Sequence, residues 1–106
     1  MWAVDGKNLR MAEGDFGIDL PFSFSGIAIG SQDRFKFIFK DTKNGTEILV
    51  KDLDPSDDNK IYLFFTQEES SRFPIGSYVY SLDWYQNGMF LCNLILCASF
   101  KVADKA

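Results

Sequence analysis

The sequence contains no histidine. Imidazole chemistry is therefore closed to it: no Ser-His or Cys-His nucleophile pair, and none of the commonest metal ligand. Cysteine is nearly absent too, with only Cys92 and Cys97. On one extended strand these two point to opposite faces and lie roughly 16 Å apart by the strand rise. A disulfide needs Cα atoms within about 7 Å. The spacing thus predicts two free, buried thiols and synthesis in a reducing compartment. Basic clusters are missing as well: the 11 Lys and Arg residues are scattered in a chain of net charge -4. That excludes a nucleic-acid phosphate partner and a polybasic membrane patch. No run reaches the roughly 18 apolar residues of a membrane helix. The longest, Met89 to Phe100, is interrupted by Asn93 and Ser99. Met1-Trp2-Ala3-Val4-Asp5 offers no basic segment before an apolar core, which predicts no secretory signal. There is no internal repeat, low-complexity tract or linker.

What is present is aromatic. Of 106 residues, 16% are Phe, Trp or Tyr, and Phe alone occurs 11 times. This composition favours sheet over helix, and the length predicts one domain spanning residues 1–106. The most informative stretch runs from Thr66 to Leu91. Thr66 and Glu69 form a capping-box pattern, in which each side chain reaches the other's backbone amide. Pro74 ends the helical piece after a turn or two. From Gly76 the chain is extended, with Tyr78, Tyr80, Leu82 and Trp84 on one face and Val79, Ser81, Asp83 and Tyr85 on the other. Asn87-Gly88 is a type I′ hairpin signal, because both positions need positive φ. The return strand from Met89 to Val102 is apolar enough to predict cover on both faces for part of its length.

Elsewhere, period-two alternation marks further strands. Phe16, Ile18, Leu20, Phe22 and Phe24 predict a strand over 16–24, with Pro21 placing it at a sheet edge. Phe35, Phe37 and Phe39 alternate with Arg34, Lys36, Ile38 and Lys40, giving one aromatic and one solvated face. Asn44-Gly45 predicts a hairpin to a short strand over 47–51. Strands near 8–12 and 61–66 complete the set. About seven short antiparallel strands with one helical turn predict an all-β, immunoglobulin-like β-sandwich, with a small β-barrel as the alternative. The expected core includes Phe16, Ile18, Leu20, Phe22, Phe35, Phe37, Phe39, Tyr80, Leu82 and Leu94.

Few residues invite chemistry. Cys92 and Cys97 lie in apolar surroundings, with nothing beside them to lower a thiol pKa, so structural thiols outweigh a nucleophile. Asp52, Asp54, Asp57, Asp58 and Asn59 have the density of a calcium loop, but the spacing lacks the bidentate Glu and central Gly of an EF-hand. A solvated turn explains them better. Glu68, Glu69 and Asp83 read as cap and surface rather than as a glycosidase pair. Trp84 and Tyr85 could form a sugar-stacking platform; Trp84 in the core with Tyr85 exposed is the simpler reading. The residues thus nominate no catalytic side chain, no cofactor site and no metal site.

The order of these motifs resembles a family. Met11-Ala-Glu-Gly-Asp15 leads into an alternating strand; Asp33 to Lys40 is followed by Asn44-Gly45. Then come Phe64-Phe-Thr-Gln-Glu-Glu-Ser70, Pro74-Ile-Gly-Ser-Tyr-Val-Tyr-Ser-Leu82, Asn87-Gly88 and Phe100-Lys-Val102. This resembles the small immunoglobulin-like β-sandwich domains of tailed-phage and prophage structural proteins, as in the N-terminal domain of baseplate upper proteins. The resemblance spans residues 9–103. It departs at Cys92 and Cys97, where ordinary core residues are expected, and in ending just after the sandwich. It implies a non-enzymatic assembly module of a baseplate or tail, made in the bacterial cytoplasm and carried into the virion. Its partners would be other virion proteins in a symmetric assembly, and the domain alone would be a monomer or weak dimer. The alternative is a carbohydrate- or peptide-binding β-sandwich module.

Overall fold

In a computed structural model the chain forms two open sheets that enclose an aromatic core. The structure describes residues 3–5, 8–17, 20–22, 30, 32–42, 45–54 and 60–104, with the backbone alone at 3–5. Eight strands and one short helix lie among them: β1 Ala3–Asp5, β2 Asn8–Ala12, β3 Leu20–Phe22, β4 Asp33–Lys40, β5 Glu47–Leu53, β6 Ile61–Leu63, α1 Gln67–Ser70, β7 Gly76–Gln86 and β8 Met89–Ala103. The larger sheet has the order β1-β2-β8-β7-β4-β5, and β3 pairs with β6 in the smaller one. Neither sheet closes on itself, so the fold is a sandwich and the barrel alternative falls away.

Alternation sets the faces. Phe35, Phe37 and Phe39 of β4 stand opposite Trp84, Leu82 and Tyr80 of β7, and all but the half-buried Trp84 are fully or almost fully buried. Their inner surface meets the small sheet and its flanks. Phe22 lies 5.3 Å from Phe37, and Phe65 lies 5.3 Å from Phe39. Phe73 and Phe100 close the cluster with edge-to-face contacts to Phe39 at 5.6 Å and 5.3 Å. Edge-to-face pairs of this kind suit the ring quadrupole and hold a defined packing.

Three local signals have a structural counterpart. The Thr66 hydroxyl accepts the Glu69 amide at 3.2 Å, while Glu69 Oε1 accepts the Thr66 amide at 2.9 Å. Asn87 and Gly88 have φ of 52° and 80°, the left-handed values of a type I′ turn. Pro21 is exposed on β3, which has β6 as its sole partner strand among the described residues.

Several expectations need correction. The strand expected over 16–24 is described only as Leu20–Phe22, and Phe16 is 48% exposed instead of core. Gly17, at φ 80°, turns the backbone there and donates its amide to Phe65 O at 2.8 Å, which ends the alternation. Leu20 and Leu94 pack against the core but are only partly buried. Ile18 and Phe24 lie outside the described residues, as does Asn44. β5 runs two residues past the expected end at Lys51, because Asp52 and Leu53 still pair with Lys36 and Phe35. One pairing is parallel: β2 runs beside the end of β8, Leu9 to Ala12 against Phe100 to Ala103. It brings Leu9 and Met11 into the core, and β1 adds a further short strand outside it.

The largest departure is β8. Its register against β7 slips three times, near Tyr80/Leu82, Leu82/Asp83 and Trp84/Tyr85. Each slip is an extra residue in β8, a β-bulge that breaks alternation and bends the strand. At one of them Leu96 and Cys97 stand opposite Ser81, and Cys97 adopts φ 54°. Its amide turns to the Ser81 hydroxyl at 3.2 Å. The expected cover on both faces fails in the first half of this strand: Met89, Phe90, Leu91 and Leu96 are 71%, 52%, 45% and 72% exposed.

Candidate functional site: the outer face of the large sheet

The register of β5, β4, β7 and β8 lays the outer side chains in rows. One row carries Arg34, Tyr85 and Phe90. The next runs Asp52, Lys36, Asp83 and Asn93. A third runs Val50, Ile38 and Ser81 to the Leu96–Cys97 bulge. Charge concentrates on β4 and β5, and apolar side chains on β8.

The first two rows form a shallow cleft of about 400 Å³, lined by Arg34, Lys36, Asp52, Asp54 and Tyr85. Arg34 Nε sits 3.0 Å from Asp54, and Lys36 Nζ is 4.0 Å from Asp52 and 5.2 Å from the centre of the Tyr85 ring. Phe90 meets the same ring edge-on at 5.6 Å. Beside it the Asn93 side-chain amide donates to Asp83 Oδ1, which explains how a carboxylate is buried on an outer face. These charges are mutually paired, so the cleft presents an aromatic floor with donors and acceptors at its rim. A second hollow of about 370 Å³ follows the third row, along Ile38, Lys40, Val79, Ser81, Leu96 and Cys97.

A buried charge lies on the opposite, inner side. Lys51 points into the sandwich, donating to Glu69 Oε1 at 2.8 Å and to Phe64 O, with Nζ 3.9 Å from the Phe64 ring centre. Burial pushes the Glu69 carboxyl up, but hydrogen bonds from Lys51 and Thr66 and the Lys51 charge outweigh it and hold its pKa below the usual value. The pair ties β5 to α1. Burial alone raises the Tyr80 and Tyr78 phenols.

The residues singled out from sequence are thus dispersed. Cys92 is exposed and Cys97 half-buried, both as free thiols, so neither is the buried core thiol expected. Cys97 shares a bulge with Leu96 opposite Ser81 of the outer face, and Cys92 stands next to the exposed Leu91. Asp52 and Asp54 are engaged with Lys36 and Arg34; Asp57, Asp58 and Asn59 lie outside the described residues. Glu69 is the cap, and Glu68 pairs with Arg72 at 2.8 Å. Trp84 stacks on Phe35 at 6.4 Å, its indole N–H buried without a partner, and Tyr85 is half-buried on the outer face. Among the described residues, no group of three Cys, Asp or Glu side chains is placed to hold a metal ion, and no helix is long and apolar enough to cross a membrane. Sequence reasoning missed the exposed apolar tip of β8 and the inward Lys51. The tip's one signal was a twelve-residue stretch, Met89 to Phe100, without a charge.

A scan against known protein families matches none, and a search of the curated proteins finds no match.

Proposed function

We propose that the chain is a non-enzymatic structural module of a phage or prophage particle, working by surface contact with other virion proteins in a symmetric assembly. The observation that carries the contact role is β8: four of the eight large apolar side chains exposed among the described residues lie on this one strand. Exposed apolar side chains concentrated on one segment mark an interaction site more often than singly scattered ones do. The virion assignment rests on the resemblance in motif order. The strand order supports its immunoglobulin-like part. β8, β7, β4 and β5 lie side by side opposite β3 and β6, which corresponds to strands G, F, C and C′ facing B and E. Tyr78, at the start of β7, donates its hydroxyl to Pro74 O at 2.5 Å, as the tyrosine corner of such domains does. Deleting the coding region from an inducible prophage and imaging the particles tests the role. Defective or missing baseplates or tails are expected; normal infective particles would refute it.

The cleft over Tyr85 favours a second reading, a carbohydrate- or peptide-binding module. An aromatic floor rimmed by Arg34, Asp52 and Asp54 suits a sugar ring or a short peptide. Titration with glycan and peptide panels, read by tyrosine fluorescence and lost in Tyr85→Ala, would support that reading.

A further inference from the structure

We infer that the outer face of the large sheet, at β2 and the end of β8, binds a single tetrahedral oxyanion group, phosphate or sulfate. The fold makes this site from opposite ends of the chain. β2 runs parallel to the end of β8, and the register sets Arg10 beside Lys101. Leu9, Met11, Phe100 and Val102 take the core side of these strands, so both cations stand on the outer face, where they are exposed. Neighbouring strands lie roughly 4.8 Å apart, and like charges placed side by side at that spacing repel. Elsewhere Arg34, Lys36, Lys51 and Arg72 each have a carboxylate within 4.0 Å; among the described residues Arg10 and Lys101 have none.

The two cations line one hollow of about 260 Å³ with Asn8, Leu9 and Ser99. That is room for such an anion and several waters, each about 30 Å³ in the liquid. Among the described residues no carboxylate lines the hollow. Its side chains can all donate. The guanidinium and the ammonium do nothing else, and the planar fork of an arginine matches phosphate oxygens. Asn8 Oδ1 accepts the Ser99 amide at 3.4 Å, which leaves the Asn8 NH2 group to donate, and Ser99 adds a hydroxyl. Charge fixes the class of ligand. A phosphate group carries about -1.5 to -2 at pH 7 and balances two cations, where a single carboxylate balances one. The net charge of -4 repels anions from a distance, so the binding is local and weak. Nucleic acid is a different case, because it takes several phosphate contacts along a strand and this pair supplies one. The hollow lies on β2 and β8, and the cleft over Tyr85 on β4, β5 and β7, so binding here is independent of both functional readings.

The test is titration of the isotope-labelled whole chain with sodium phosphate at constant ionic strength, read from backbone amide shifts. Saturable shifts centred on residues 8–10 and 99–101 are expected, half-complete at about 1–10 mM, the range of weak specific sites. Sodium chloride should give no such shifts, and sulfate should compete with phosphate. Arg10→Gln and Lys101→Gln should each weaken binding at least fivefold. Lys40→Gln, which removes a cation from the second hollow of the same face, should leave it unchanged. As phosphate replaces chloride, the melting temperature of the wild type should rise relative to that of Arg10→Gln; the general stabilising effect of phosphate acts on both proteins and cancels. Methyl phosphate separates the sources: binding as tight as that of phosphate assigns an ester group, and binding several-fold weaker assigns the free anion. No saturable shift, shifts reproduced by chloride, or an equal loss in Lys40→Gln would each overturn the inference. The wild-type titration against chloride needs no variant, so a folding defect in one leaves the question decidable.

Discussion

Replacing Lys51 by methionine should destabilise the sandwich by about 2–3 kcal/mol, and the reasoning is local. Lys51 is 8% exposed and Glu69 17%, so the pair is mostly withdrawn from water. Breaking a fully buried pair by removing one partner costs about 3–5 kcal/mol, because a charge is left without compensation. Here Glu69 keeps the Thr66 amide and some water, which argues for a smaller figure. Phe64 O, however, loses its lysine donor. Methionine fills most of the stem's volume, so little of the loss comes from packing. Glu69→Gln should cost less, about 1 kcal/mol, because the amide can still accept from Thr66. The double variant should recover part of the sum, a coupling of about 1–2 kcal/mol. Urea denaturation of the four proteins at neutral pH measures all three terms. The pH dependence is fixed in sign. Glu69 has a lowered folded-state pKa, so its contribution is present above the unfolded value near 4.3 and is lost as pH falls through the folded value. The wild type should therefore lose more stability on acidification than Glu69→Gln does. A cost below about 0.5 kcal/mol for Lys51→Met, with additive singles, would refute the account of this pair.

Other outcomes follow from the same contacts. Phe39→Ala should cost about 3–5 kcal/mol, since Phe39 is fully buried among Phe65, Phe73, Tyr80 and Phe100; a loss under 1 kcal/mol on denaturation would contradict the core assignment. Tyr78→Phe should cost about 1 kcal/mol by removing the bond to Pro74 O, measurable as a lowered melting temperature. In native protein a thiol reagent should modify Cys92 quickly and Cys97 more slowly, resolved by peptide mass mapping; equal protection of both would show that β8 is covered.

Much of the architecture was legible from residues that act locally. Phe35, Phe37 and Phe39 declare a half-buried strand by spacing alone. Thr66 with Glu69, and Asn87 with Gly88, fix a helix start and a turn by chemistry that needs no distant partner. The remainder depends on distant pairing. Nothing near Leu9 announces a parallel partner at Phe100, since that ladder joins opposite ends of the chain. Phe16 continues the alternation on paper, but the turn at Gly17 takes it out of register. Nothing beside Lys51 in the sequence announces its burial, because its partner Glu69 is brought over it by α1. β8 reads as a doubly covered strand because composition reports what it could bury, while the placement of the other elements decides what it does bury.

The central claim is that this protein is a contact module of a particle, and mass spectrometry of purified, induced particles tests it most directly. The account predicts the intact chain in the particles at a fixed copy number that matches the symmetry of one virion component. Particles of normal composition and infectivity that lack the chain, with the protein left soluble in the lysate, would contradict it.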